Sequence, residues 1–182
     1  LLISIYGHDA YTGAHSNKVD GVLEKIAAAF GCSNDTIQII KWSAFLHDIG
    51  KMFIPAQVLN KPEQLDVNEW QMIKKHPEIG SQIVMLTTGL EMVAEIVMTH
   101  HEKYDGTGYP MGLARTEIPL AARILSVVDA YGAMTERRIY QKPISSLQAV
   151  RELWRCAGTQ FDPTVVKVFS DVMDEMQLGD SA

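Results

Sequence analysis

Positive charge is scarce in this sequence: 16 Lys and Arg stand against 22 Asp and Glu, a formal charge of -6. That balance excludes a grip on long nucleic acid or an anionic membrane through bulk charge. An anionic substrate must instead be held by a few local cations or by metal. Cysteine is nearly absent, with only Cys32 and Cys156. Two are too few for a disulfide scaffold and read as buried free thiols in a reducing, cytoplasmic setting. No apolar run is long enough to cross a bilayer. The opening Leu1-Leu2-Ile3-Ser4-Ile5-Tyr6 is too short for a signal peptide and lacks its cationic lead. An initiator methionine is also missing, which predicts a chain taken from a longer protein. Internal repeats, low-complexity segments, linkers and alternating strand patterns are lacking as well. What remains is ordinary: 182 residues, 47% hydrophobic and 21% charged. Those values exclude disorder and suit one domain, 1–182, with a single sizeable core.

Helical periodicity fills the chain. Val19, Val22, Leu23, Ile26, Ala27 and Phe30 recur at three- and four-residue spacing, with Gly31 placed for a C-terminal cap. Ile37, Ile40 and Ala44 repeat the pattern behind the cap candidates Ser33, Asn34 and Asp35, and Gly50 is expected to end that helix. Asp66 and Glu69 have capping-box spacing, as do Ser145 and Gln148. Pro77 marks a break or a fresh first turn. Leu90 to His101 reads as a helix, and 105–110 as a loop by its turn chemistry. Pro119 is expected to open one helix and Asp162-Pro163 the last. The predicted fold class is all-α, a helical bundle of about seven helices.

Six histidines are placed unevenly. His47-Asp48 and His100-His101 are adjacent pairs, while His8, His15 and His76 stand apart. An imidazole and a carboxylate side by side at a helix end suit a divalent metal, and the carboxylate can bridge two cations. Neighbouring histidines diverge by about 100° on a helix and can reach different metals. Asp129 lies within the apolar stretch 124–130, where a carboxylate is costly unless paired or metal-bound. Arg123 offers it a plain structural salt bridge instead.

The run His15 … His47-Asp48-Ile49-Gly50-Lys51 … His76 … His100-His101-Glu102-Lys103-Tyr104-Asp105-Gly106-Thr107-Gly108-Tyr109-Pro110 … Asp129 resembles the HD-GYP family. These are bacterial cyclic-di-GMP phosphodiesterases of the wider HD-domain phosphohydrolases. The likeness runs from about Asp9 to Pro163. It implies one metal held by His15, His47, Asp48 and Asp129, and a second held by His76, His100 and His101 with Asp48 bridging. Some members bind a third metal through an acidic residue one turn before the first histidine. Tyr11 stands there, so two divalent ions are expected, iron or manganese in most of the family.

The resemblance also implies a mechanism. Two divalent cations and two aspartates leave about +2 at the site, enough for a bridging water to ionise near neutral pH. The hydroxide would attack phosphorus in line with the leaving 3′ oxygen, giving linear pGpG and then GMP. Lys51 is expected to steady the phosphate and Asp9 to protonate the leaving oxygen. Gly108, Tyr109 and Pro110 are expected beside the substrate, Tyr109 offering its ring to guanine or its hydroxyl to phosphate. In the family this loop is also proposed to meet diguanylate cyclase (GGDEF) domains, and homodimers are expected on family grounds.

The sequence departs from the family after Asp129. Arg138 keeps the first basic position for the second phosphate, but Gln141 replaces the next one, Arg137 replaces an acid, and Gly132 stands where aspartate is common. Losing a charge-assisted bond at Gln141 costs on the order of 1.5–3 kcal/mol. Hence a related cyclic dinucleotide is an alternative substrate, and a module that binds a dinucleotide or a cyclase partner without turnover is a second reading. An HD phosphohydrolase for nucleoside phosphates is a third, opposed by the GYP loop.

Overall fold

The computed structural model describes residues 12–136 and 142–179, with side chains over 21–136 and 142–176. The calls on Asp9, Tyr11, Arg137, Arg138 and Gln141, and on the side chain of His15, lie outside these described residues. The order is α1 Thr12–Ala29, α2 Asn34–Leu46, a 3-10 turn Ile49–Phe53, α3 Ala56–Leu59, α4 Val67–Ile73, α5 His76–Met85 and α6 Glu91–Thr99. A second 3-10 turn Arg115–Glu117 leads to α7 Leu120–Thr135, α8 Ser146–Arg155 and α9 Pro163–Gly179. The all-α expectation is met: among the described residues β-structure is limited to one isolated bridge between Ala157 and Phe161.

Local chemistry sets most boundaries. Gly31 takes φ +72 behind α1, a left-handed conformation that glycine adopts without a Cβ penalty. Ser33 caps α2 by accepting from the Thr36 N–H. Asp66 and Glu69 form a reciprocal capping box at α4, and Ser145 and Gln148 form another at α8. Pro77 lies in the first turn of α5, where its missing N–H costs nothing. Two boundaries differ from expectation. Pro119 is the cap of α7 rather than its first residue. Gly50 does not end α2, which stops at Leu46 with His47 as its C-cap; Gly50 lies inside the 3-10 turn that follows.

The core is built in three parts. Leu23, Ile26, Ile40, Ile124, Val127, Leu153, Val166 and Phe169 join α1, α2, α7, α8 and α9. Leu46, Ile49, Val84, Val93 and Val97 join the end of α2, the first 3-10 turn, α5 and α6. A third group, Ile96, Ile118, Ala122 and Leu125, ties α6 to α7. Removing such side chains from water is worth about 1.5–3 kcal/mol each, so these contacts fix the helices against one another. The end of α2, the start of α5, the end of α6 and the middle of α7 meet where the parts join.

Candidate metal centre

Three histidines are aimed in the same way. His47 Nδ1 lies 2.7 Å from the Ala44 carbonyl, His76 Nδ1 2.8 Å from that of Ile73, and His100 Nδ1 2.6 Å from that of Val97. Each ring thus donates Nδ1–H to the backbone three residues earlier, which fixes the tautomer and leaves a lone pair on Nε2. His76 opens α5 and His100 caps α6, both almost fully buried. Their Nε2 atoms stand 3.3 Å apart. Two lone pairs that close repel each other unless a cation lies between them. The donor set therefore fits a metal ion.

Asp48 completes the cluster. Its Oδ1 faces His76 Nε2 at 3.4 Å, and its Oδ2 faces His47 Nε2 at 3.4 Å. One carboxylate thus addresses a histidine on either side. One ligand atom each from Asp48, His76, His100 and His101 lies within 4.8 Å of all the others, a group able to hold a metal ion. Asp129, on α7, brings Oδ1 to 3.8 Å from His47 Nε2. It does not pair with Arg123, whose Nη1 instead lies 2.5 Å from the buried Asp162. That leaves the Asp129 carboxylate facing the histidines.

Electrostatics follow the geometry. Burial works against a proton on His47, but Asp48 and Asp129 outweigh it and push its pKa up to about 9. The proton there answers the same two carboxylates that a metal cation would satisfy. Burial works against charge on Asp48 too, yet His47 and Lys51 hold its carboxyl well below the usual range. Burial lowers His76 despite the pull of Asp48, and holds His100 well below its ordinary value. Burial and neighbouring His76 take His101 down to about 4. These three rings are neutral at pH 7, as nitrogen ligands must be.

Two glycines permit the close approaches. A Cβ on Gly50 would lie 2.1 Å from the His76 carbonyl oxygen, so only glycine lets the turn after Asp48 press on the start of α5. A Cβ on Gly108 would lie 2.2 Å from the Lys103 nitrogen, so the GYP loop folds back on the chain just after His101. Tyr109 there stacks on His101, centroids 5.0 Å apart, and its N–H bonds the His101 carbonyl. Burial, with Asp48 and Asp129, raises its hydroxyl to about 12. Gly108 and Pro110 flank that ring in sequence. Lys51 brings Nζ to 2.7 Å from Asp48 Oδ2, at the edge of the cluster.

Some contributors give no sequence signal. Glu102 is buried and its Oε1 accepts from the Met111 and Gly112 N–H groups, which pins the far side of the loop. Tyr104 and Asp105 donate backbone N–H bonds to Gln160 and Thr159, tying the loop to the turn before α9. Such pairings join residues far apart in sequence and have no periodicity to betray them. No helix among the described residues is long and apolar enough to cross a membrane.

The HD domain family matches residues 5–165. A cyclic di-GMP phosphodiesterase of Thermotoga maritima is 38% identical over 170 residues, covering 92% of this chain and 46% of that protein. The 3'3'-cGAMP-specific phosphodiesterase 2 of Vibrio cholerae is 36% identical over 166 residues, covering 90% of this chain and 32% of that protein. The chain thus spans about a third to a half of the length of these curated relatives. The solved structure of Bd1817, a HDG"Y"P protein from Bdellovibrio bacteriovorus, superposes with a TM-score of 0.68 at 21% identity, covering 88% of this chain and 51% of that one. With His47, His76, His100 and His101 gathered about Asp48, and with relatives of this kind, the chain belongs to the HD-domain family, in its HD-GYP branch.

Proposed function

We propose that this domain is a dimetal phosphodiesterase that hydrolyses cyclic-di-GMP to linear pGpG. The observation that carries this reading is the pair of Nε2 lone pairs 3.3 Å apart on His76 and His100, with Asp48 facing them. His76, His100, His101 and Asp48 would hold one cation; His47, Asp48, Asp129 and His15 would hold the other. Bound divalent cations supply the charge that neutralises phosphate oxygens and acidifies water. The protein's own groups do the rest. Asp48 presents one oxygen to each set, which keeps the two sets in register. Lys51 shares its charge between Asp48 Oδ2 and an incoming phosphate oxygen. Tyr109 keeps its proton at neutral pH and donates from the loop beside His101. Hydrolysis forms one bond from water oxygen to phosphorus and breaks the bond to the 3′ oxygen, which takes up a proton. Asp9 is the proposed donor of that proton.

The test is product formation from cyclic-di-GMP, followed by chromatography after anaerobic loading with iron or manganese. Conversion to pGpG by the wild type, lost together with metal content in Asp48→Ala, is the expected result. Full metal content and turnover in Asp48→Ala would refute the ligand assignment. A second reading has a specific observation behind it. Identity to the 3'3'-cGAMP-specific relative, 36%, nearly equals the 38% to the cyclic di-GMP relative, and Gln141 replaces a basic residue. A related cyclic dinucleotide is therefore the alternative substrate, and a panel of dinucleotides ranks them by kcat/KM.

A further inference from the structure

Lys74 stands at the rim of the site without a role so far. It caps the C-terminus of α4, its N–H bonded to the Trp70 carbonyl. Its Nζ lies 5.9 Å from the centroid of Trp70 and 5.4 Å from that of Tyr109. Tyr109 in turn stacks on His101 at 5.0 Å. The ammonium is therefore about 10 Å at most from the His101 ring. Among the described residues no carboxylate comes within 4.0 Å of it, unlike Lys41, Lys51 and Lys61, each of which sits on an acid. Aromatic faces attract an ammonium and limit where it can swing, but they do not neutralise it and they take few of its three N–H donors. A chain of charge -6 thus keeps an unneutralised cation, aimed by two rings, next to its metal-binding cluster.

We propose that Lys74 is a specificity-determining residue that grips the second, non-reacting phosphate of the dinucleotide, with Trp70 and Tyr109 as the rings that aim it. The inference rests on the phosphodiesterase reading above. A cyclic dinucleotide carries two phosphates: the one being cut belongs at the histidine cluster, and the other must lie a few ångströms away, toward the rim. A cation aimed there by two rings supplies the charge that such a phosphate needs. The plain alternative is that Lys74 is a helix-end cation that only anchors the loop.

Manganese-loaded wild type, Lys74→Gln and Lys74→Arg separate the two. Calorimetry follows binding of pGpG, and steady-state kinetics compare cyclic-di-GMP with bis(p-nitrophenyl) phosphate, a diester with a single phosphate; metal content is measured on each protein. Lys74→Gln is expected to weaken pGpG binding and raise KM for cyclic-di-GMP about tenfold, the loss of one charge-assisted phosphate contact. The drop in kcat should be far smaller, and so should the penalty on the single-phosphate diester. Lys74→Arg should recover most of the affinity, and Lys74→Gln should flatten the dependence of log KM on log salt. Equal penalties on both substrates, loss of metal in Lys74→Gln, or no recovery with arginine would overturn the proposal in favour of a loop anchor. If the wild type neither binds pGpG nor hydrolyses cyclic-di-GMP, the phosphodiesterase reading itself falls, and this proposal with it.

Discussion

Replacing Gly50 with alanine adds one methyl group at the tightest contact near the site. An ideal Cβ would lie 2.1 Å from the His76 carbonyl oxygen and 2.7 Å from the Gly80 nitrogen. Ordinary contact begins at 3.4 Å, so the 3-10 turn and α5 must part by roughly 1 Å. Both obstructing atoms are backbone, and no rotamer change relieves them. The strain should lower stability by about 1–3 kcal/mol, toward the upper end because rigid elements must move. Function should suffer as well. Asp48 rides on the same turn, and its Oδ1 faces His76 Nε2 at 3.4 Å. A shift of about 1 Å at such a constellation costs on the order of 100-fold in turnover. Gly21→Ala is the matched control: it sits in α1 with nothing within 4 Å of its Cβ. There the same methyl should stabilise by about 0.5–1 kcal/mol through helix propensity. Urea denaturation, metal analysis and cyclic-di-GMP turnover on both variants make the comparison. A Gly50→Ala protein with wild-type midpoint and full metal content would refute the claim that this approach requires glycine.

Two more expectations concern stability. Acid should destabilise the metal-free domain, because burial holds His101 at about 4 and lowers His76 and His100, whereas unfolded histidines protonate near 6.5. Above 6.5 neither state carries these protons; between 6.5 and about 4 the unfolded chain binds more of them, so stability falls with pH. His47 runs the other way: held up at about 9, it adds stability that is complete below 6.5 and lost as pH rises through 9. Melting temperature against pH on the chelated protein should therefore pass through a maximum near neutrality, and a flat profile from 4 to 9 would refute it. Separately, Asp162→Ala strands the Arg123 guanidinium and removes the cap on the Thr164 N–H. A loss of about 3–5 kcal/mol is expected by urea denaturation; a loss below about 1 kcal/mol, the scale of an exposed pair, would mean that the pair is effectively solvated.

Local features were the legible part of this fold. The capping boxes at Asp66 and Ser145, the cap at Ser33 and the left-handed Gly31 act within four residues, and their side chains sit where the spacing implied. Asp162 likewise caps α9 by accepting from Thr164. At the site, His47, Asp48, His76, His100 and His101, which the motifs single out in the sequence, lie together. What stayed hidden depends on pairings across the chain. Arg123 stands on the same helix as Asp129, yet it bonds Asp162, 39 residues away. Glu102 holds the loop from inside, and Lys74 reaches Tyr109 across 35 positions of sequence. The short helix α3 also escapes periodicity, because it is too brief to show a repeating face.

His47, His76 and His100 each take their aim from a carbonyl three residues back in their own backbone. Ring direction is therefore set by the local backbone. Only the spacing between those ends is left for tertiary structure to decide. The cluster then works as a caliper. A cation held across it would span the gap between α5 and α6, and any push that slides one helix end against the other would change how tightly it is held. Any contact that presses on α5 or α6 would have a mechanical route to the cluster, with no ligand of its own at the site.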